Sequence, residues 1–504
     1  MTKRQPSKDF KTRYAAAKRW RDAARPKIEE IFKFCAPGRE NDFTRRSSAI
    51  YEESETYNSL PEELATDLAG DFVSYFTPAE SKWGDFLVTV DVPEEVADQV
   101  LDTVSERENK LFDMISSSNY NDIAPMWGFE AATHGTPALW VQKSHLAQPV
   151  HCEVVPPSEL LITPGHLGIL DRFREKWAMA DTLAALFDGW DVDLSDAAIK
   201  SKMKKPGSQV KVTWGFWLNW SEPGRPKWMA EFTVDGIGIM EPTDIGDFSG
   251  PCPLLVGRFN PQVNQPWGRG PGWKALRDMR SLDKIDEVVI TNLDDALQNT
   301  IIYPDDGFLD LSEGLEAGTS YPANRTFTRD QIYEMKKGAN LDYGFYTEEN
   351  FEERLRRAFY QDGPRQRGDT PPTASQWLDE RRRVQQRIGK PSAPLWSEMI
   401  CALIQRFEFI AVETGELEQA ITVNGREITI QPVSPLQKAQ NQDQVRVAQA
   451  NLELAFNVFQ DRVDNFIDPV KTFGNIVKTS GDELTVLRSE EQVVETPKNT
   501  SSPQ

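Results

Sequence analysis

The stretch Trp267-Gly-Arg-Gly-Pro-Gly-Trp273 is a glycine- and proline-dense turn, and it leads directly into residues 274–299, which contain neither glycine nor proline. Apolar residues recur along 274–299 at spacings of three and four, and this period predicts a single apolar stripe on an α-helix. The stripe consists of Leu276, Met279, Leu282, Ile285, Val289, Leu293 and Leu297. At a rise of about 1.5 Å per residue the helix would span roughly 40 Å. A helix this long with a stripe this narrow is suited to packing beside other helices.

The other faces of the predicted helix are charged. The glycines that precede it do not match a phosphate-binding loop, because no G-x-x-x-x-G-K-[ST] follows them and their spacing is not G-x-G-x-x-G after a strand. A turn that aims the helix is therefore the favoured interpretation. The charged residues are Lys274, Arg277, Asp278, Arg280, Asp283, Lys284, Asp286, Glu287, Asp294 and Asp295.

The composition is that of an ordered protein with two or three domains. The 504 residues are 39% apolar and include 14 Trp and 26 Phe, which is ample material for a core. The sequence has no run of about 18 apolar residues, and residues 1–9 lack the apolar segment of a signal peptide. We therefore expect a protein that is made and used in a cytoplasm-like compartment.

Charge is distributed unevenly along the chain. The net charge is −21, but residues 1–46 carry 14 Lys and Arg against 6 Asp and Glu, so this segment has a balance of +8 and the remainder −29. An acidic body disfavours tight binding of duplex DNA, yet it suits a surface that DNA passes without sticking. The basic segment fits a contact with nucleic acid or an acidic partner, or an ordinary solvated amphipathic helix. Its Trp20 and the alanines at 15–17 favour the helix.

The sequence contains no motif for catalysis or metal binding. It has no Walker motif, no H-E-x-x-H, no C-x-x-C and no credible Ser/His/Asp set. Acidic pairs such as Asp294-Asp295 and Asp305-Asp306 are more typical of a solvated face in a chain with 78 acidic residues. We therefore predict a protein that is not an enzyme, needs no cofactor or metal, and keeps its cysteines as buried free thiols. The cysteines are Cys35, Cys152, Cys252 and Cys401, and the histidines are His134, His145, His151 and His166.

The first half of the chain predicts an α+β fold. Trp214, Phe216, Leu218 and Trp220 alternate with other residues, which predicts one strand of a hairpin that turns at 221–224. The predicted helices are 8–34, 60–76 and 93–114, followed by a helix-to-strand passage over 126–141. The predicted strands are 86–90, 150–155, 158–164, 169–177, 210–220, 227–234 and 237–241.

After the long helix, residues 300–345 hold short β-prone pieces and glycine-rich turns, and a shorter helix is predicted over 348–361. The chain therefore leaves along one helix, forms a small β module and returns along another, which places the module at the end of a two-helix stalk. The remaining predicted elements are a loop over 362–372, a helical stretch over 373–414 interrupted at Gly389-Lys-Pro391 and Pro394, a strand over 425–432, a helix over 437–462 and a disordered tail over 489–504.

This order of parts resembles that of the portal, or head-to-tail connector, protein of short-tailed double-stranded DNA phages. The resemblance covers residues 60–415, and the residues after 415 carry no recognisable signature. One departure is Trp267, at a position where the family more often has tyrosine. The similar segments are Leu68-Ala-Gly-Asp-Phe-Val-Ser-Tyr-Phe-Thr-Pro-Ala79 with Trp83, Gly135-Thr-Pro-Ala-Leu139, 157–165 with Asp171-Arg-Phe-Arg174, 253–258 with Trp267-Gly-Arg-Gly-Pro271, and Thr373-Ala-Ser-Gln376.

The resemblance implies a portal fold assembled as a dodecameric ring at one capsid vertex, through which DNA is packaged, retained and later ejected. A narrow-striped, highly charged helix agrees with this, because channel helices pack side by side in a ring. The implied regions are a wing (1–271), a first stem helix (272–299), a β clip (300–347), a second stem helix (348–361), a tunnel loop (362–372), a kinked wing helix (373–415), a crown (416–488) and the disordered tail (489–504).

The resemblance also implies positions for functional residues. Carboxylates on the first stem helix would repel DNA at close range, within a Debye length of about 8 Å, while arginines on the tunnel loop would make transient phosphate contacts. Exposed aromatic and acidic residues of the clip would dock partner proteins. The expected channel-lining residues are Asp286, Glu287, Asp294, Asp295, Arg365 and Arg367, and the expected docking residues are Tyr303, Asp305, Asp306, Phe308, Asp310, Glu313, Glu316 and Tyr321.

The implied partners are further copies of the chain, the major capsid and scaffold proteins, the terminase packaging ATPase, the tail adaptor protein and internal core or ejection proteins. Double-stranded DNA would pass without sequence-specific contacts, and the ATPase would supply the energy because this chain has no Walker motif. The implied location is the virion, after assembly in the host cytoplasm, without stable membrane association.

Two other interpretations stay open at this point. One is a different phage structural component, such as a tail adaptor or head-associated ring protein, which would be smaller and would lack the helix, β module, helix order. The other is a metal-dependent DNA-processing enzyme that uses acidic clusters with Mg²⁺. An activity assay with metal titration distinguishes the enzyme from both structural proteins.

Overall fold

The fold was analysed in a computed structural model. The structure describes residues 4–44, 55–79, 82–88, 94–144, 148–222, 224–247, 250–297, 301–302, 333–334, 341–362, 383, 387–418, 422–423, 426–427, 430–433, 445–455, 472–473 and 476. The described helices are α1 (Lys8–Cys35), α2 (Leu60–Phe76), α3 (Glu94–Ser117), α4 (Tyr120–Ala132), α5 (Leu183–Leu186), α6 (Ala197–Met203), α7 (Pro271–Leu297), α8 (Leu341–Ala358) and α9 (Cys401–Thr414).

The described strands lie in several separate sheets. They are β1 (Asp85–Val88), β2 (Ala138–Lys143), β3 (Val150–Val154), β4 (Leu160–Pro164), β5 (Leu170–Met179), β6 (Gln209–Asn219), β7 (Lys227–Val234), β8 (Ile237–Gly238), β9 (Thr243–Asp247), β10 (Leu254–Val256), β11 (Ile301–Ile302), β12 (Tyr333–Glu334), β13 (Thr422–Val423), β14 (Arg426–Glu427) and β15 (Ile430–Val433). The mixture of helices and sheets agrees with the predicted fold class. Within the described ranges, no helix combines the length and the apolar character needed to cross a bilayer.

The largest sheet is antiparallel, with the order β4-β5-β6-β7-β8 and with β9 paired to β7. The predicted hairpin is confirmed, since β6 pairs antiparallel with β7, and Trp214, Phe216 and Leu218 on one face of β6 are at most 4% exposed, whereas Trp220 lies just beyond the strand. The opposite face of β6 is buried too, because Phe10 of α1 packs against Trp217 with ring centroids 6.4 Å apart. Helix α1 therefore covers the face of β6 that carries Trp217. The alternating sequence pattern by itself predicts that this face is exposed to solvent.

The basic N-terminal segment uses part of its charge inside the protein. Arg13 Nη1 lies 2.6 Å from Asp171 Oδ2, and Arg21 Nη1 lies 3.8 Å from Glu175 Oε1. Both carboxylates belong to β5 of the large sheet. The acidic partner of this segment thus includes the protein's own sheet, and only the outer side of α1 is solvated.

A second core is helical and joins α2, α4, α7 and α9. Trp127, Phe72, Phe259 and Phe407 are among its largest buried side chains. The approach of α4 to α2 needs Gly128, because a Cβ added there would lie 2.6 Å from the Ala69 carbonyl oxygen.

The helix predicted over 348–361 begins earlier in the structure. The structure places α8 at Leu341–Ala358, whereas the prediction was 348–361 with residues 341–347 in the clip. Gly344 favoured a turn in the sequence, but glycine in a helix costs only about 1 kcal/mol relative to alanine. Packing of α8 along α7 outweighs that local preference.

The interruption predicted near Pro391 and Pro394 takes another form. Residues 387–395 are helical throughout, and a π-helical turn follows at Trp396–Ile400 before α9 begins. Both prolines lack the N–H that a regular helix uses, and the chain passes from α-helical to π-helical geometry directly after them.

The predicted wing and crown are linked by a strand pair. β1 pairs antiparallel with β15, so that Asp85 lies opposite Val433 and Val88 opposite Ile430. Sequence alone assigned 86–90 to the wing and 416–488 to a separate crown. The two strands are more than 300 residues apart in the chain. Their pairing depends on the tertiary fold, and neither segment predicts it from its own sequence.

Candidate functional site

The glycine-rich turn before α7 packs its backbone directly on the segment that joins α4 to β2. A Cβ added to Gly268 would lie 2.1 Å from the Gly135 carbonyl oxygen, and one added to Gly270 would lie 2.4 Å from the Thr133 carbonyl oxygen. Gly135 also has a φ of 85°, in the region that favours glycine. Glycine is therefore required by contact with backbone, and no bound phosphate is needed to explain it.

Hydrogen bonds hold the same two segments together, and we call residues 133–136 and 267–273 the stem anchor. The Gly270 N–H donates to the His134 carbonyl at 3.2 Å, and the Trp273 N–H donates to the Thr133 carbonyl at 3.2 Å. The Gly268 N–H donates to Thr136 Oγ1 at 2.9 Å. The stem anchor thus fixes the start of α7 on the body of the protein.

A buried charged network lies beside the stem anchor. Glu130, which is 3% exposed, accepts a hydrogen bond from Arg39 Nη2 at 2.6 Å and lies 2.6 Å from His134 Nε2. The Thr136 N–H points at His134 Nδ1 at 3.2 Å, which assigns the ring proton to Nε2 and makes it a donor to Glu130. The Arg39 guanidinium also stacks on the Phe32 ring at 4.3 Å. His134 is therefore a satisfied structural residue.

The Glu130 carboxyl is held ionised by this network. Burial alone raises its pKa, but the Arg39 charge and the hydrogen bond from His134 outweigh burial and lower the pKa to about 2. Removing either donor would leave part of the buried carboxylate without a partner, which would lower the stability of the folded protein.

Helix α7 leaves the stem anchor with one side packed on the core. Leu276, Met279 and Leu282 are at most 5% exposed. Asp286 lies on this packed side, is 8% exposed and accepts a hydrogen bond from Asn58 Nδ2 at 2.5 Å. Burial raises the pKa of the Asp286 carboxyl. Within one copy, Asp286 therefore does not present its carboxylate to solvent, in contrast to the expectation for a channel wall.

The outward side of α7 is cationic, which sequence reasoning missed. The sequence did contain this information, because the lysines and arginines of α7 recur at spacings of three and four residues, which places them on one side of a helix. Of the charged residues along 271–291, Lys274, Arg277, Arg280 and Lys284 are exposed, Asp278, Asp283 and Glu287 are half-buried, and Asp286 is buried.

The remaining predicted site residues are only partly described. Glu287 lies on α7 and pairs with Lys284 at 2.7 Å. The side chains of Asp294 and Asp295, and all atoms of Arg365 and Arg367, lie outside the described residues. The predicted docking residues also lie outside them: Tyr303, Asp305, Asp306, Phe308, Asp310, Glu313, Glu316 and Tyr321.

Arg406 on α9 is a buried contact that the sequence did not indicate. It donates from Nε to the Val141 carbonyl at 3.0 Å and from Nη1 to the carbonyls of Gly250 and Pro251 at 3.1 and 3.0 Å. Burial lowers its pKa to about 10. The residue ties α9 to β2 and to the chain just before β10, so the helical run after 387 is fixed to the same body as α7.

The chain belongs to the family described as bacteriophage head to tail connecting protein, whose model matches residues 7–483. This assigns a connector, or portal-type, structural component of a phage-like particle. Family membership indicates a structural rather than a catalytic protein. The described residues contain no group of three His, Cys, Asp or Glu that is arranged to hold a metal ion.

Solved structures of gene transfer agent particles are similar to the chain. One, described as the virion of a native gene transfer agent particle, is 11% identical, with a TM-score of 0.41 over 89% of this chain and 92% of that one. Another, the neck of an empty gene transfer agent particle computed with C6 symmetry, is 12% identical, with a TM-score of 0.36 over 83% of this chain and 90% of that one. A comparison with curated protein sequences finds no match.

Proposed function

We propose that this chain forms a dodecameric portal ring at one capsid vertex of a short-tailed phage, through which DNA is packaged, retained and ejected. Family membership supports the connector role, and the path of the chain supports the conduit. That path is the observation that carries the proposal: the chain leaves the body on α7, forms the β11–β12 pair and returns on α8, which packs along α7.

The ring acts as a passive conduit. A wall for a polyanion must neither bind DNA tightly nor block it, and half-buried or solvated carboxylates supply short-range repulsion. Because Asp286 is covered by Asn58 within a copy, the proposed acidic wall rests on Glu287, Asp294 and Asp295. Movement of DNA is driven by the terminase ATPase, which docks on the ring.

The other partners follow from the position at the vertex. The ring contacts the major capsid and scaffold proteins around its body, internal core or ejection proteins on the inside, and the tail adaptor at the tip of the stalk after packaging. DNA passes without sequence-specific contacts.

Negative-stain imaging of the purified protein tests this function. We expect rings with a central hole and, after averaging, twelve-fold symmetry. A stable monomer at micromolar concentration under several salt conditions would refute the proposal. A smaller ring that shows no projecting stalk would favour a tail adaptor over a portal.

The tunnel loop gives a first prediction. Replacing Arg365 and Arg367 with alanine is expected to leave ring assembly intact and to alter the packaged length or retention of DNA, because the two cations are proposed to contact phosphates transiently. Packaged DNA is sized by pulsed-field electrophoresis, and Arg225→Ala, an exposed arginine in the β6–β7 turn, is the control. Unchanged length and retention would mean that the two arginines make no functional contact with DNA.

The clip gives a second prediction. Replacing 305–325 with a short glycine linker is expected to abolish pull-down of both terminase and tail adaptor, because aromatic residues with an acidic rim suit a polar-edged interface. The rings are imaged first, since some of these aromatics are expected to pack between neighbouring clips. Normal recovery of both partners by assembled rings of this variant would place docking elsewhere.

A further inference from the structure

Two helices of this chain expose faces of opposite charge. The basic face of α7 consists of Lys274, Arg277, Arg280, Ser281, Lys284 and Val288. The acidic face of α2 consists of Glu62, Glu63, Thr66, Asp67, Gly70, Asp71 and Ser74, and α2 contains no Lys or Arg.

Each face is one continuous side of its helix and the two are similar in length. The members recur mainly at spacings of three and four residues, which places them as neighbours on a helix surface. From Lys274 to Val288 the basic face spans about 21 Å, and from Glu62 to Ser74 the acidic face spans about 18 Å. Val288 is 46% exposed and adds an apolar end to the basic face.

The two helices contact each other and share one buried core. Leu64 and Leu68 on the inner side of α2 belong to the same buried cluster as Leu276 and Leu282 on the inner side of α7. The acidic and basic faces are the exposed sides of these helices, and among the described residues no ion pair joins the two faces within one copy. A surface pair of this kind is what a head-to-tail contact between identical subunits requires.

The two faces also retain charge that the single copy does not use. Arg280 is paired with Glu30 and Lys284 with Glu287 inside the copy, and Asp71 accepts a hydrogen bond from Gln361 Nε2 at 2.7 Å. Among the residues that the structure describes, Lys274, Arg277 and Asp67 have no ion-pair partner.

We propose that the basic face of α7 in one copy docks on the acidic face of α2 in the next copy around the ring. This inference rests on the proposed ring and specifies which surfaces join its subunits. Opposite charge on the two faces fixes the direction of docking and disfavours contacts between like faces. Each copy offers one half of the contact on each side, so the contact repeats until the ring closes.

A charge exchange between two variants tests the contact. The first variant is K274E/R277E and the second is D67K/D71K. Each alone places like charges opposite each other at every contact, and we expect the protein concentration needed for half assembly to rise by at least about tenfold. In an equimolar mixture the two variants can alternate around the ring, and we expect rings to return to the wild-type concentration dependence.

Assembly is measured by sedimentation velocity and negative-stain imaging, with thermal melting to show that each variant is folded. The control is K204E/K205E, which reverses two exposed lysines just after α6 and is expected to assemble like the wild type. The contact would be overturned if either variant alone forms rings normally. It would also be overturned if a mixture of the two folded variants forms no rings.

Two further outcomes separate this inference from the function it rests on. If the wild type itself forms no ring, the proposed function fails and the contact fails with it. If K274E/R277E forms rings normally but retains less packaged DNA, the ring stands and the basic face lies toward DNA in the channel, which overturns the contact alone.

Discussion

Replacing Gly270 with valine is expected to destabilise the protein by about 3 kcal/mol or more, because the new side chain has no space on the stem anchor. Its Cβ would lie 2.4 Å from the Thr133 carbonyl oxygen, which belongs to rigid backbone and cannot rotate away. The turn would have to move, and the hydrogen bonds from the Gly270 and Trp273 N–H groups would be lost with it. The expected result is a large fall in melting temperature or loss of soluble protein.

The neighbouring residue provides a matched control. Arg269 lies in the same turn and its side chain is exposed, with the guanidinium 6.0 Å from the Trp273 ring centroid. Its N–H donates to the Phe259 carbonyl at 2.7 Å, a backbone hydrogen bond that valine retains. Arg269→Val introduces the same side chain at the preceding position and is expected to change stability by about 0.5 kcal/mol or less. Both variants are compared by tryptophan fluorescence during thermal melting at one protein concentration. Equal melting temperatures for the two would show that the turn is not held by backbone contact.

Replacing Glu130 with alanine is expected to cost about 3 kcal/mol, because it removes one of the two carboxylates that pair with the half-buried Arg39 guanidinium, leaving Asp42, and it removes the acceptor of His134. Glu222→Ala, which removes an exposed glutamate in the β6–β7 turn, is the control and is expected to have almost no effect. Urea unfolding at neutral pH measures both. A Glu130→Ala protein as stable as the control would mean that the buried pair contributes nothing net to the fold.

The same residue makes stability depend on pH at acidic values. The pKa of Glu130 falls from its usual 4.5 to about 2 in the folded protein. A carboxyl with a lowered folded-state pKa contributes stability that is fully present above the unfolded pKa and is lost as pH falls through the folded pKa. The contribution, on the order of 3 kcal/mol, is therefore lost between about pH 4.5 and pH 2.

Glu130→Gln isolates this contribution, because glutamine keeps the shape and does not titrate. The variant is expected to be less stable than the wild type at pH 6 and to approach it near pH 2. Melting temperatures of the two proteins across this range give the measurement. A constant difference at all pH values would show that the charge of Glu130 is not the stabilising feature.

The sequence by itself determined the long helix and the turn before it. Residues 274–297 contain no helix breaker, their apolar residues follow the helical period, and the structure contains α7 over Pro271–Leu297. The strands over 150–241 were predictable for the same reason, as in the Trp214, Phe216 and Leu218 alternation. Backbone preference and periodicity arise among near neighbours in the chain, so adjacent residues are sufficient to encode them.

Tertiary structure alone decided which charges reach solvent and why the turn needs its glycines. Asp286 and Lys284 are both charged residues of one helix, yet Asp286 is covered by Asn58, which is 228 residues away in the chain, and Lys284 is exposed. Gly270 faces the Thr133 backbone, and Arg406 meets carbonyls of Val141 and Gly250. Burial and close contact depend on which distant segments fold together, and local periodicity carries no information about that choice.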